Sequence, residues 1–182
     1  SSSSSTDTMT VTITVAGADD SVDAGSDGTG SVTEDASTTT ATGSVSASDV
    51  DGDDSTFTYA IGTAAGTYGD LTMSGAAWTY TLNNADTDTN ALDAGDSVTD
   101  AFTITVTESS SSSTDTMTVT ITVAGAADTS VWAGTTTGSL TEDASTTTAS
   151  AALTITDADG DDTPTITDVS STAGANGYGN FV

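Results

Sequence analysis

Acidic residues carry the only recognisable chemistry of this chain, and they lie in short clusters. Asp49, Asp51 and Asp53 alternate with other residues around Gly52, which allows a tight turn. Carboxylates this close repel one another unless a cation joins them, and Ca²⁺ favours oxygen-rich sites. The spacing is not that of an EF-hand loop, since the glycine is fourth instead of sixth and position twelve is Ala60. The cluster predicts calcium ligands, with a solvated acidic turn as the alternative.

The composition excludes most other kinds of chemistry. The 182 residues include 27 Asp and Glu but no Lys, Arg, His or Cys, which gives a formal charge of −27. Without imidazole, amine or thiol there is no ordinary nucleophile–base pair, so we expect no enzyme activity. Two carboxylates can hydrolyse a glycoside in principle, but nothing in the pattern predicts a cleft. We expect no binding to nucleic acid and no membrane insertion. An acidic surface suited to high salt is a further alternative.

The sequence contains a repeat of 108 residues. Residues 1–18 return letter for letter as residues 109–126, and the acidic clusters recur at the same spacing. A period this long corresponds to one small domain instead of a solenoid turn. We therefore predict three pieces: residues 1–18 as the last strand of a preceding repeat, 19–126 as a linker with one complete repeat, and 127–182 as the next linker with the first half of another.

Apolar residues alternate with Thr and Ser in short runs, as expected for half-buried strands. Strands are predicted near residues 31–35, 41–48, 55–61, 67–73, 76–82, 97–107 and 115–124. Seven short antiparallel strands in a domain of this size indicate an immunoglobulin-like sandwich. The predicted fold class is all-β, with tandem immunoglobulin- or cadherin-like Greek-key β-sandwich domains. The predicted core includes Phe57, Trp78, Tyr80 and Phe102.

Three acidic clusters that are distant in sequence are expected to converge at one pole of the sandwich, where successive domains meet. They are the linker, the first strand and the loop after the second strand. Recurrence of these clusters supports a metal site over a plain acidic turn. The predicted metal ligands are Asp19, Asp20, Glu34, Asp49, Asp51 and Asp53, and in the second copy Asp128, Glu142, Asp157, Asp159 and Asp161. Asp51 and its counterpart Asp159 are expected to be central.

The chain resembles a known family in its DVDGDDSTFTYAI loop and its late TDAFTITVT strand, with GSVTEDAS and WTYTLNN as weaker signals. It is similar to the VCBS-type bacterial repeat, a cadherin-like domain of large secreted adhesins. The resemblance implies a calcium-binding sandwich, with Glu34, Asp49 and Asp51 as ligands at the domain pole and Asp19 or Asp20 as the linker ligand. The family's Asn-Asp-Ala-Pro linker is replaced here by Ala18-Asp19-Asp20-Ser21.

The predicted function is that of a calcium-stabilised structural repeat in an extracellular fibre or adhesin of the bacterial cell surface. The expected partners are neighbouring repeats or identical subunits in a filament. Residues 1–18 are expected to pair with strands outside residues 31–126. The alternative function is an adhesive module that binds a surface glycan or a protein ligand.

Overall fold

The computed structural model describes residues 1–51, 56–167 and 171–181, and these residues form strands but no helix. None of them therefore forms a helix that is long and apolar enough to cross a membrane. In the first repeat the strands are β1 (Gly28–Thr33), β2 (Thr40–Ser44), β3 (Phe57–Ile61), β4 (Gly69–Ser74), β5 (Ala77–Leu82), β6 (Ser97–Glu108) and β7 (Thr114–Ala124). In the second repeat they are β8 (Val131–Gly134), β9 (Leu153–Thr156), β10 (Thr172–Ala173) and β11 (Asn180–Phe181).

The first repeat is a sandwich of two sheets. One sheet has the strand order β1-β7-β6-β3 and the other has the order β2-β5-β4. Strand β1 pairs parallel with β7, whereas the other pairs in both sheets are antiparallel. This topology confirms the predicted all-β, immunoglobulin- and cadherin-like sandwich. The expectation that all seven strands are antiparallel was wrong for β1, which is parallel to β7. The predicted strands overlap the observed ones with differences of a few residues at their ends.

The core lies between the two sheets because every second residue of each long strand points inward. On β7, Met117, Val119, Ile121 and Val123 are buried, while the threonines between them face outward. Strand β6 contributes Phe102, Ile104 and Val106, and the facing sheet contributes Leu71, Trp78 and Tyr80. The predicted core residues are therefore inside, although Phe57 is only partly buried and packs against the edge of the core.

A buried carboxylate ties the two sheets together. Asp100 on β6 is 4% exposed and accepts hydrogen bonds from the backbone amides of Thr67, Tyr68 and Gly69. The Tyr80 hydroxyl of the opposite sheet donates to the same carboxylate over 2.8 Å. Burial and the bond to Asp100 raise the pKa of Tyr80, so this phenol stays a donor. Asp100 thus joins β6 to the start of β4 and to the centre of β5.

Residues 1–18 and the identical residues 109–126 have different structures. Within 109–126, Thr114–Ala124 forms the buried strand β7, whereas residues 1–18 form no strand. The apolar side chains Met9, Val11, Ile13 and Val15 are 75–88% exposed. The expected pairing of this segment with strands outside the sandwich is not seen among the described residues. The segment therefore adds no support for a fibre, and such pairing stays a prediction.

Candidate metal site between the two repeats

The two ends of the sandwich are called here the proximal pole, where β1 begins, and the distal pole, where β1 and β7 end. Glu34 follows the last residue of β1, and its amide donates to the carbonyl of Ala124 at the end of β7 over 2.9 Å. Glu34 is 1% exposed. Neither of its carboxylate oxygens meets hydrogen-bond geometry with a partner among the described residues, although the backbone of Ala126 lies near enough to oppose the rise of its pKa. A buried charge with so little compensation is costly, so a bound cation or a proton would stabilise this carboxylate.

The linker and the acidic loop of the second repeat lie against this distal pole. The amide of Asp128 donates to Asp159 over 2.8 Å, and the amide of Asp159 donates to Asp157 over 3.3 Å. The amide of Gly160 donates to the carbonyl of Ala91 in the first repeat over 3.2 Å. These bonds fix the acidic loop of one repeat on the end of the other, and Asp159 is only 4% exposed there.

The carboxylates of the two repeats meet in one group, which we call the junction cluster. Oxygen atoms of Asp93, Asp159 and Asp162 all lie within 4.8 Å of one another. Asn84 donates to Asp35 over 3.4 Å, and Asp35 in turn contacts Asp128. The junction cluster comprises Glu34, Asp35, Asn84 and Asp93 from the first repeat and Asp128, Asp157, Asp159 and Asp162 from the linker and the second repeat.

Burial and mutual repulsion raise the pKa values of three carboxyl groups in the junction cluster. Burial raises the pKa of Glu34, and the nearby Asp128, Asp35 and Asp159 raise it further, although the backbone at Ala126 opposes this. Burial also raises the pKa of Asp128, assisted by its hydrogen bond with Asp35. The pKa of Asp93 is raised by desolvation and by Asp159. All three shifts mean that the negative charges are unfavourable as long as no cation is bound.

The oxygen atoms present fit Ca²⁺. Buried oxygens without a hydrogen-bond partner occur on Glu34 (both), Asn84, Asp128 and Asp159. Carboxylate and amide oxygens are the ligands that Ca²⁺ takes in proteins, usually about 6–8 of them. Because the chain has no Lys, Arg or His, no side chain of its own can neutralise this group.

The pH dependence of stability follows from the raised pKa values. A carboxyl group whose pKa is higher in the folded state binds its proton more tightly there, so protonation stabilises the fold. For the calcium-free chain, we expect the midpoint of thermal unfolding to rise as the pH falls from neutral toward the raised pKa values of Glu34 and Asp128. Calorimetry on metal-depleted protein at constant ionic strength tests this. A midpoint that falls over this range, or is as pH-dependent in Glu34→Gln as in wild type, would contradict the assignment.

The proximal pole repeats half of this arrangement 108 residues earlier. The amide of Asp20 donates to Asp51 over 2.7 Å, and the amide of Asp51 donates to Asp49 over 2.8 Å. One oxygen of Asp49 is buried without a hydrogen-bond partner among the described residues. The linker and the loop after β2 thus meet in both repeats, as predicted.

Other predicted ligands have different positions. Asp19 is exposed, and Asp53 lies outside the described residues. Asp161 is exposed next to Asp93, where its backbone donates to that carboxylate. Glu142, the counterpart of Glu34, is also exposed.

The expectation that Glu34 shares a pole with Asp49 and Asp51 is corrected by the structure. Strand β1 runs from the proximal to the distal pole, so the residue after its last position lies at the distal end. Strand β2 then returns, and the loop after it lies beside the start of β1, as the pairing of Asp23 with Ser48 shows. Glu34 therefore faces the corresponding loop of the next repeat instead of the loop of its own repeat.

The predicted ligand set did not include Asp35, Asn84, Asp93 and Asp162, which belong to the cluster. Asp35 and Asp162 belong to the recurring TEDAS and DGDD motifs, so recurrence could have identified them. Asn84 and Asp93 lie between β5 and β6, and the 182 residues contain no second copy of this region. Recurrence could not single them out.

Comparison with known proteins agrees with this geometry. No curated protein matches the chain. Residues 18–125, well over half of the chain, match the family model of the bacterial cadherin-like domain. This supports the cadherin-like part of the resemblance but not the VCBS type specifically. Domains of this kind are typically non-enzymatic modules of the bacterial surface that generally bind calcium. The chain belongs to the bacterial cadherin-like domain family.

Proposed function

We propose that Ca²⁺ bound by the junction cluster fixes each repeat to the next and thereby stiffens a tandem array at the bacterial surface. The observation that carries this proposal is the set of buried, unpaired oxygens contributed by both repeats, on Glu34, Asn84, Asp128 and Asp159. A cation there replaces repulsion by attraction on both sides of the linker. The neighbouring repeat is thus the principal partner of each domain.

The structure supports specific ligand assignments within this proposal. Glu34 and Asp159 are almost fully buried and carry unpaired oxygens, so they are the central ligands, together with Asp128 from the linker. Asp93 and Asp162 lie around Asp159 and complete the coordination or hold a further ion. Since the ligands come from both repeats, binding requires a defined angle between the domains.

The position of the cluster at a pole of the sandwich supports a role in a fibre. The poles of the sandwich are joined by strands as long as β6, whose twelve residues span about 40 Å. A calcium-locked joint at each pole would give rigid segments of about this length. Without calcium, the linker around residues 125–128 would act as a hinge between strongly acidic domains.

A matched pair of substitutions tests the proposal. Asp159→Asn is expected to weaken calcium binding at least about tenfold, or ~1.4 kcal/mol, because a buried ligand loses its charge. Asp51→Asn is the matched control, since Asp51 makes the same contact to its linker but lies at the pole opposite Glu34. Calorimetric titration of Ca²⁺ into both variants gives the comparison. Equal losses would indicate diffuse attraction of cations instead of a site.

The mechanical part of the proposal has its own measurement. Small-angle X-ray scattering with and without Ca²⁺ reports the distribution of angles between the repeats. We expect Ca²⁺ to narrow the distribution for wild type and to leave it unchanged for Asp159→Asn. Asp70→Asn serves as a surface control, because Asp70 is exposed on β4 and does not belong to the junction cluster. If Ca²⁺ left the distribution of angles between the repeats unchanged in wild type, the stiffening role would be contradicted.

A further inference from the structure

The outer face of the four-stranded sheet β1-β7-β6-β3 carries no charged side chain. Its outward positions are the alternate residues within 29–33 of β1, 114–124 of β7, 97–107 of β6 and 58–60 of β3, and all of them are Thr, Ser or Ala. We call this surface the threonine face. It differs from the acidic poles of the same domain, in a chain with a net charge of −27.

The acidic residues of these four strands all lie at inward positions. Asp100 and Glu108 of β6 are 4% and 1% exposed. Asp115 of β7 accepts a hydrogen bond from the amide of Ala24 over 3.0 Å and is thereby held toward the linker. The smaller sheet β2-β5-β4, by contrast, has the exposed Asp70 on its outer face. A second acidic molecule therefore meets less repulsion at the threonine face than at the poles or at the other sheet.

Cross-strand pairing arranges the threonines of this face in rows. Thr103 of β6 lies opposite Thr118 of β7, and Thr99 lies opposite Thr122. Thr122 is paired in turn with Ser31 of β1. Because strands lie about 4.8 Å apart and every second residue is about 6.6 Å further along a strand, the face is a regular array of hydroxyl and methyl groups.

The hydroxyl groups of the threonine face are free to contact a partner. Among the described residues, one of them donates within the domain, from Thr58 to the carbonyl of Thr107 over 3.3 Å. A hydroxyl group both donates and accepts hydrogen bonds, whereas a carboxylate only accepts them. The chain has no Lys, Arg or His that could donate to a carboxylate. One threonine face is therefore complementary to another, whereas two acidic poles are not.

The threonine face is large enough for a weak interface. Its four strands have 6, 11, 12 and 5 residues. At about 3.3 Å per residue and about 4.8 Å between strands, they cover roughly 500 Å². Two such faces together bury roughly 1,000 Å², which is the lower limit for a specific interface between proteins. A single pair of repeats is therefore expected to associate weakly.

We propose that two copies of the repeat pair side by side through their threonine faces. The two sheets stack about 10 Å apart, and their equal twist sets an angle of about 30° between the strands. The interface is isologous, so each substitution on the face enters it twice. In an array of such repeats, many weak pairs act together and hold two filaments side by side. This last step rests on the proposed function, whereas the pairing of single repeats does not.

Self-association of the full chain in the presence of a chelator tests this inference. Salt shortens the Debye length from about 10 Å at 0.1 M to about 3 Å at 1 M, so repulsion between two copies weakens. We expect the dimer dissociation constant, measured by sedimentation equilibrium, to fall at least about tenfold between these salt concentrations. In the ¹⁵N-labelled chain, amides of residues 97–107 and 114–124 should shift with protein concentration, and those of residues 69–82 should not.

A matched pair of substitutions places the interface on one sheet. Thr103→Asp puts a charge at the centre of the threonine face and should weaken the dimer at least about tenfold at 0.1 M NaCl, because like charges then oppose one another across the interface. Thr79→Asp adds the same charge to the outer face of the other sheet, where Thr79 pairs with Thr42 and Thr72, and should leave the dimer unchanged. Thr103→Asn alters the same position without a charge and should retain pairing.

Three outcomes would overturn the inference. They are a wild-type chain that stays monomeric at millimolar concentration in 1 M NaCl, concentration-dependent amide shifts outside the threonine face, and equal losses for Thr103→Asp and Thr79→Asp. Amide shifts on this face upon addition of dextran to a chain that stays monomeric would assign it to a neutral glycan instead. Because these measurements are made in chelator, none of their outcomes bears on the calcium proposal.

Discussion

Removal of calcium is expected to lower the midpoint of thermal unfolding of the first repeat by about 10 °C. A ligand that binds only the folded state at about 100 times its Kd stabilises by about 2.7 kcal/mol. For a domain of this size, each kcal/mol shifts the midpoint by roughly 4 °C. The physical source is the relief of repulsion among Glu34, Asp128 and Asp159 at the distal pole. Differential scanning calorimetry on metal-depleted protein, before and after addition of CaCl₂, measures the shift.

Ionic strength has to be separated from specific binding in this measurement. A chain with a charge of −27 is stabilised by any salt, so NaCl at equal ionic strength is the control. The variant Glu34→Gln provides the second control, because it keeps the shape of a central ligand and removes its charge. An equal gain from NaCl and CaCl₂, or a full calcium gain in Glu34→Gln, would show that the cluster is not the source.

Replacement of Asp100 by alanine is expected to destabilise the first repeat by about 4 kcal/mol, independently of calcium. The substitution leaves three backbone amides and the Tyr80 hydroxyl without their acceptor, and each buried unsatisfied group costs about 1–3 kcal/mol. The expected loss of about 4 kcal/mol lies at the lower end of the sum for four such groups, because water can enter the space that the Asp100 side chain leaves. Urea denaturation followed by circular dichroism gives the free energy of unfolding.

Two further variants test whether the loss of stability comes from the Asp100 carboxylate. Tyr80→Phe removes one of the four donors and should cost only about 1 kcal/mol. Asp70→Ala removes an exposed carboxylate and should change the free energy of unfolding by less than about 0.5 kcal/mol. A loss for Asp100→Ala no larger than for Tyr80→Phe would mean that the amides find other acceptors.

The strands could be predicted from the sequence because burial imposes a period of two residues on them. The Thr-apolar alternation of β6 and β7 is the direct result of one face meeting the core and the other meeting water. The same alternation also points to a buried carboxylate. Asp100 stands at an inward position between Val98 and Phe102, where a carboxylate must have partners inside.

The junction cluster could be predicted only in part. Recurrence at 108 residues identified Glu34, Asp128 and Asp159, because a repeated carboxylate indicates a repeated role. The pole of Glu34 was assigned wrongly, since the direction of β1 relative to β7 depends on tertiary pairing. Sequence also does not distinguish residues 1–18 from 109–126. The neighbours β1 and β6 decide that the latter segment forms a strand.

The junction cluster is divided between adjacent repeats, so the number of complete sites differs from the number of repeats. Glu34 and Asp93 belong to one repeat, and Asp128 and Asp159 to the linker and the repeat that follow it. In a tandem array of the proposed kind, a row of n repeats would have n − 1 complete joints and an incomplete half-site at each end. Calcium bound per domain should grow with the length of the row and level off only in long ones. Under the proposed calcium joint, a single repeat would therefore bind less of the ion, and less firmly, than the same repeat in a row.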